Sequence, residues 1–346
     1  GYVSQTITNV NLTSNNCVPS TLNVALVPLA SFNFSGQVIE SGTMNPVPYA
    51  KVRIENAQSS IIVTANIAGN FTANGFFAGT YTVTGGKWGH VTSCQPNQVL
   101  DQSVTAYTIV LDKGYYDDFS LDFNWNVTGD ASTGDWEIGV PNVTTYGPVE
   151  SNPGLDVSTD CNGEAYVTGN GGGGAGDDDI DGGSVVLTSP VFDATLYFDP
   201  YVEFDRWFFT GSGNSQSADV LAIYIDNGST QVVIDGADIN SADNSSWVHK
   251  SFRISDILTP TNNMTLIVET GDLGQGHLVE AAFDKFVVYD GAVGLNEVSN
   301  NTNFNISPNP FKDEINIEVL NSNVSNIEIN VFDVAGKLVD SYSFNN

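Results

Sequence analysis

Bases are scarce in this chain. Ten Lys and Arg stand against 40 Asp and Glu, leaving a net charge of −30. Without a basic stripe to neutralise phosphates, the charge balance argues against nucleic acid and anionic membrane as partners. The acid surplus suits divalent cations and a salty exterior, where screening blunts self-repulsion. Cysteine is equally sparse: three in 346 residues cannot make a disulfide scaffold, and at most one bridge forms. No apolar run approaches the length of a membrane span. There is no initiator Met and no signal peptide, which marks Gly1 as a processed or trimmed start. No stretch shows a long helical period. Catalytic signatures are missing too. No G-x-S-x-G elbow occurs, and GNGGGG at 169–174 lacks the Lys-Ser/Thr of a phosphate loop.

What the chain does have is alternation. Val52 and Ile54 alternate with Lys51, Arg53 and Glu55, and Tyr81 and Val83 with Thr80, Thr82 and Thr84. Late in the chain Ile315, Ile317 and Val319 alternate with Asn316 and Glu318, and Ile327, Ile329 and Val331 with Glu328 and Asn330. Period-two runs punctuated by Gly, Asn, Asp and Pro predict an all-β protein of several sandwiches in series. The length allows two or three real cores. Gly1-Tyr-Val-Ser followed by TLNVALVPL echoes Gly89-His-Val-Thr followed by AYTIVLDKG. Residues 1–30 therefore read as the last strands of a module whose front half is missing, and 31–113 as a complete one. A second sandwich spans 114–290, a linker 291–304 and a final unit 305–346.

The densest chemistry lies between Cys161 and Asp193. Asp177, Asp179 and Asp181 alternate and precede Gly182, a D-x-D-x-D-G pattern suited to a hard cation. Thr188 stands where an EF-hand needs its bidentate Glu, and SVVLTSPVF reads as strand, so this is no EF-hand. Two readings stay open, a calcium-stapled β-loop and a solvated acidic turn. His277-x-x-Glu280 has the spacing of a zinc pair on a helix. On a strand, residues three apart face opposite ways, and no third His follows. Trp125, Trp136, Trp207 and Trp247 are candidates for a sugar platform. Trp207, within RWFF, reads as core, while Trp136 and Trp247 flank polar turns. Cys17 and Cys94 fall in the two related units and could pair across their junction, leaving Cys161 the odd thiol.

Family resemblance adds to this. Gly36-x-Val38, Pro48-x-Ala50-x-Val52, Gly69-x-Phe71 and Gly79-x-Tyr81-x-Val83 make residues 34–113 resemble the carboxypeptidase regulatory-like domain, a seven-stranded, transthyretin-like sandwich without catalysis of its own. Asp117-Asp118-Phe119, Gly134-Asp135-Trp136-Glu137, Tyr166-Val167-Thr168-Gly169-Asn170, Leu187-Thr188-Ser189-Pro190 and Glu280-Ala281-Ala282-Phe283-Asp284 carry a second likeness. They make 115–290 similar to jelly rolls of the MAM and cleaved-adhesin kind. That resemblance implies a calcium ion held by an acid near the first strand and one in the last, here Asp118 and Asp284, joined by Asp178 and Asp181. With the alternating acids, the expected calcium ligands are Asp118, Asp177, Asp178, Asp179, Asp181 and Asp284.

Ser307-Pro308-Asn309-Pro310 and Asp333-x-x-Gly336-Lys337 make the last stretch similar to the sorting domain of type IX secretion cargo, without the closing strands and basic tail of that pattern. The expectation is a non-catalytic accessory or adhesive region of a secreted or cell-surface bacterial protein. Its partners would be the type IX machinery and a surface glycan or protein. The alternatives are a carbohydrate-binding module of a secreted hydrolase, or accessory domains of a zinc peptidase whose catalytic domain lies upstream.

Overall fold

The computed structural model describes residues 30–291, apart from 105, 158–159, 213–216 and 275, together with strands between 304 and 345 and isolated positions before 30. The expected remnant at 1–30, Cys17 within it, and linker residues 292–303 lie outside the described residues, isolated positions apart. Among the described residues, regular structure is strand save two short 3-10 turns at Ala194–Leu196 and Ile254–Asp256. The all-β expectation holds.

The first sandwich has seven strands: β1 (Ser31–Glu40), β2 (Lys51–Asn56), β3 (Ser59–Thr64), β4 (Asn70–Phe77), β5 (Gly79–Gly86), β6 (Ser93–Leu100) and β7 (Tyr107–Leu111). One sheet runs β4-β1-β7, the other β3-β2-β5-β6. The alternation read in the sequence sets the faces: Val52, Ile54, Tyr81 and Val83 point into a core with Phe34, Val38, Phe71, Phe76, Ile109 and Leu111. Burying each such side chain contributes about 2 kcal/mol.

The second sandwich begins with β8 (Tyr115–Asp117), β9 (Asn126–Gly129), β10 (Trp136–Gly139), β11 (Thr144–Tyr146), β12 (Val149–Asn152) and β13 (Ala165–Thr168). It continues through β14 (Gly183–Thr188), β15 (Pro200–Gly211), β16 (Leu221–Asp226), β17 (Gln231–Ala237), β18 (Val248–Arg253), β19 (Thr265–Asp272) and β20 (Leu278–Asp290). A six-stranded sheet, β10-β13-β20-β15-β18 with β8 added to β20, faces a five-stranded one, β17-β16-β19-β14-β9. The central pair β15 and β20 stays in register from Pro200–Asp290 to Gly211–Leu278 with one irregularity. Arg206, buried on β15, crosses the core to Asp235 on β17 at 2.7 Å.

On β20, Val279, Ala281 and Phe283 enter the main core, while Ala282 packs on the other side with Trp207, Ala165 and Val167. That outer face is covered in its turn. Ser151 at the end of the β11–β12 hairpin accepts from Trp207 Nε1 at 2.8 Å, and Leu155 O accepts from Trp247 Nε1 at 2.8 Å. Burial on both faces is why β15 reads as the continuous run RWFF rather than as an alternation.

The two sandwiches share a boundary. Trp88, beyond the end of β5, stacks on Phe286 at 5.6 Å and meets Trp125 edge-on at 6.2 Å. Its Nε1 donates to Val191 O at 2.6 Å. Gly86 has no room for a side chain, because a Cβ there would stand 2.9 Å from Phe123 and 3.0 Å from Leu121. Arg53 on β2 donates from Nη2 to Glu164 at 2.8 Å and from Nη1 to Ser120 O at 3.1 Å.

Cys94 on β6 is disulfide-bonded to Cys161, with Cα atoms 6.3 Å apart. This corrects the expected Cys17–Cys94 pair. The sandwich packing brings together two cysteines 67 residues apart, and Cys161 is no odd thiol.

Ala292–Asn346 form a separate unit. Its described strands are two antiparallel pairs, β21 (Phe304–Ser307) with β22 (Asn316–Val319), and β23 (Asn326–Phe332) with β24 (Leu338–Asn345). Both late alternating runs lie on strands, at β22 and β23.

If Trp88 joins the two cores, Trp88→Ala should lower stability by about 2–3 kcal/mol. Denaturant unfolding should then split into two transitions. A single transition with an unmoved midpoint would show that the boundary is only a surface contact.

Candidate metal centre

Asp284 sits on β20 where the pairing with β15 shifts register, opposite Asp205. The next residue, Lys285, takes the left-handed conformation, φ 53°. A bulge of this kind re-aims side chains. Asp284 is thereby held fully buried. Asp118 follows β8, which pairs with β20 through Asp117 and Phe286, and so arrives beside it. Asp156 and Asp160 come from the segment between β12 and β13 that passes over this face. Oxygens of Asp156, Asp160 and Asp284 all lie within 4.8 Å of one another.

The hydrogen bonds of this group follow one pattern. Asp118 Oδ1 accepts from Ser120 Oγ at 2.5 Å, Asp156 Oδ1 from Val157 N at 2.7 Å, and Asp284 Oδ1 from Lys285 N at 2.6 Å. Each of these donors is local and orients its carboxylate. The second oxygens of all three, and both oxygens of Asp160, are buried with no hydrogen-bond partner among the described residues. Burial first, and then neighbouring carboxylates, raise the proton affinity. Asp160 is pushed up to about 8, and Asp118, Asp156 and Asp284 also move upward. Oxygens of Asp156, Asp160 and Asp284 converge, and Asp118 adds a fourth carboxylate whose charge reaches Asp156 and Asp160, an arrangement that suits a hard cation.

Of the six acids expected to hold calcium, the structure brings only Asp118 and Asp284 to this place. Asp177 Oδ2 accepts from Gly174 N at 2.7 Å, and Asp178 Oδ2 from Gly171 N at 2.6 Å. Asp181 accepts from Thr133 Oγ1 at 3.2 Å. The glycine run wraps these acids. A Cβ on Gly171 would lie 2.6 Å from Asp178 Oδ2, and Gly169 has φ +50° against the Asp178 carbonyl.

Asp179 turns elsewhere, into a cleft of about 320 Å³ with His277 and Leu278. Burial, then Asp181, push it up to about 7. His277 Nδ1 stands 3.0 Å from Asp219 and 3.9 Å from Asp272, so a second buried group gathers there with a histidine among its members. Glu280 faces away from it, accepting from Thr168 Oγ1 at 3.1 Å, and burial pushes it up to about 9. His277 and Glu280 therefore do not converge as a zinc pair. Nor do the tryptophans make a sugar platform: Trp125, Trp136 and Trp207 are buried, and Trp247 packs on Trp207 at 6.0 Å.

Asp156 and Asp160 escaped the sequence reading. Their only signal is the D-x-x-x-D spacing just before Cys161, in a segment without a strand pattern.

Residues 305–346 match the secretion system C-terminal sorting domain. The chain is therefore a secreted or cell-surface protein. Comparison with curated proteins finds no match. Among solved structures, the chain is similar to the K1 cleaved adhesin domain of Lys-gingipain from Porphyromonas gingivalis. That match has 11% identity and a TM-score of 0.30, and covers 52% of this chain and 99% of that one. It is also similar to the carbohydrate-binding module TmCBM61, solved with β-1,4-galactotriose, at 15% identity, TM-score 0.28, and 50% and 90% coverage. A third is SGBP-B of a xyloglucan utilization locus in Bacteroides uniformis, at 13% identity, TM-score 0.24, and 75% and 69% coverage.

Raised carboxylate pKa values carry a definite sign. Between about 4 and about 8 the folded cation-free protein holds more protons than the unfolded chain, so its stability falls as pH rises through that window. Asp117, pushed up to about 8, and Glu280 contribute the same slope whether or not a cation is bound. In chelator, thermal midpoints should drop from pH 5 to pH 8, and calcium should flatten part of that drop. A slope that calcium leaves unchanged would mean that the four acids do not bind it.

Proposed function

We propose that this chain is a non-catalytic accessory region, adhesive or binding in role. In this reading its second sandwich is stapled by calcium, and its last residues hand the protein to the type IX secretion machinery. The observation that carries the calcium reading is the set of five buried carboxylate oxygens without hydrogen-bond partners at Asp118, Asp156, Asp160 and Asp284. Carboxylates alone favour calcium over softer metals, which prefer imidazole or thiolate. Oxygens of Asp156, Asp160 and Asp284 within 4.8 Å of one another are compatible with calcium's longer bonds and irregular geometry.

The ion would fasten three pieces of chain: the end of β8, the bulge in β20, and the segment that covers the outer face of the sheet. Asp177, Asp178 and Asp181 shape the neighbouring glycine loop instead. The non-catalytic reading rests on how the titratable groups are used. Burial pushes Glu280 up to about 9 and its oxygens accept from threonines, while His277 lies against two buried carboxylates, so neither is placed as a general base beside a nucleophile. The sorting match at 305–346 supports export to the cell exterior, where calcium is available.

Calcium that binds only the folded state stabilises it by about 4 kcal/mol at roughly 1,000 times its dissociation constant. Thermal midpoints should rise by several degrees in calcium over chelator, and calorimetric titration should show the site. Asp284→Asn should remove both effects, whereas Asp177→Asn should keep them. Coincident midpoints in calcium and chelator would sink the proposal. Loss of binding in Asp177→Asn with retention in Asp284→Asn would move the site to the glycine loop.

A further inference from the structure

Among its described residues, the segment that supplies Asp156 and Asp160 contains no strand or helix between β12 and β13, so its ligand geometry depends on outside ties. Leu155 O, beside Asp156, accepts from Trp247 Nε1, and the ties nearest Asp160 lie just after it. Cys161, directly after Asp160, is bonded to Cys94 on β6 of the first sandwich. Asn162 Nδ2 donates to Asp118 O at 2.8 Å, joining this half to another ligand. Glu164 receives the forked Arg53 guanidinium, with Nη2–Oε1 at 2.8 Å. Of these ties the disulfide alone is covalent, and it ends one residue from a carboxylate whose two oxygens both point inward. Cys161 is exposed and Cys94 half-buried, so a small thiol can reach the bond.

We propose that the Cys94–Cys161 disulfide regulates the cation site: its reduction by a small thiol lowers calcium affinity, and bound calcium shifts the thiol–disulfide equilibrium toward the intact bond. This rests on the calcium reading above. A thiolate attacks the exposed Cys161 sulfur, forms a mixed disulfide there and expels Cys94 as thiolate, which takes up a proton. A second thiol molecule then attacks the mixed disulfide, freeing Cys161 and leaving the oxidised reagent disulfide. Two reagent thiols are oxidised and one protein disulfide is reduced. Without the bond, Asp160 keeps only the noncovalent ties of Asn162 and Glu164, and calcium must supply more of the ordering of the segment as it binds. Linkage makes the effect reciprocal, so whatever affinity reduction removes, calcium returns as resistance to reduction.

The test uses the full chain in two measurements. Calorimetric titration compares calcium binding by the oxidised protein and by the Cys94→Ser/Cys161→Ser variant. Alkylation and peptide mass analysis measure the fraction of Cys161 thiol at equilibrium in glutathione buffers of defined reduced-to-oxidised ratio, with calcium or with chelator, in wild type and in Asp284→Asn. The variant lacking the bond should bind calcium about fivefold more weakly or worse. Saturating calcium should shift the wild-type reduction equilibrium toward the disulfide by a similar factor and leave Asp284→Asn unaffected. Equal affinities with equal reduction equilibria would overturn the proposal while leaving the cation site standing. No binding by either form would overturn the cation site and the proposal with it. Should the double variant fail to fold, the wild-type equilibria decide alone: a calcium-independent equilibrium refutes the coupling.

Discussion

The carboxylates of Asp156, Asp160 and Asp284, gathered near Asp118 on the covered outer face of the six-stranded sheet, are the constraint around which this region is arranged. At about 4 Å and an effective dielectric near 20, each pair of charges repels by about 4 kcal/mol. Burial adds a desolvation cost to every charge. Protons relieve that repulsion below neutrality, and a divalent cation relieves it above. The bulge at Asp284 and Lys285 exists where two long central strands would otherwise pair without interruption. It turns one carboxylate toward a segment that brings two more.

That segment also explains how the sandwiches become one unit. It covers the outer face of the six-stranded sheet and holds Asp156 and Asp160 over Asp284. It then crosses to the first sandwich through Cys161 and Glu164. On the other side Trp88 enters the second core, and Gly86 lets Leu121 and Phe123 come close. Disulfide, ion pair and indole thus act at neighbouring points of one boundary, beside the proposed cation site.

Much of the fold was legible because alternation is a local signal. Val52 and Ile54 go inward as their spacing requires, and Ile317 and Ile329 lie on strands as read. RWFF resists the same treatment, since a strand buried on both faces loses the period. The site was legible only in its strand-bound half. Asp118 and Asp284 came from resemblance to jelly rolls, whereas Asp156 and Asp160 sit in irregular chain whose path tertiary packing decides. The acid-rich loop misdirects for a physical reason. Short carboxylates beside glycines satisfy backbone N–H groups a few residues away, as Asp177 and Asp178 do. Dense charge in sequence is then a loop-shaping device, and the sparse acids are the ones that converge. The cysteines teach the same lesson, because Cys94 and Cys161 meet only once both sandwiches have folded against each other.

Anomalous diffraction from crystals of this chain grown in calcium tests the central claim most directly. The account predicts one strong peak among Asp118, Asp156, Asp160 and Asp284, with ligand oxygens at about 2.3–2.6 Å. A peak held by Asp177, Asp178 and Asp181, or four carboxylates still converging around ordered water in saturating calcium, would contradict it.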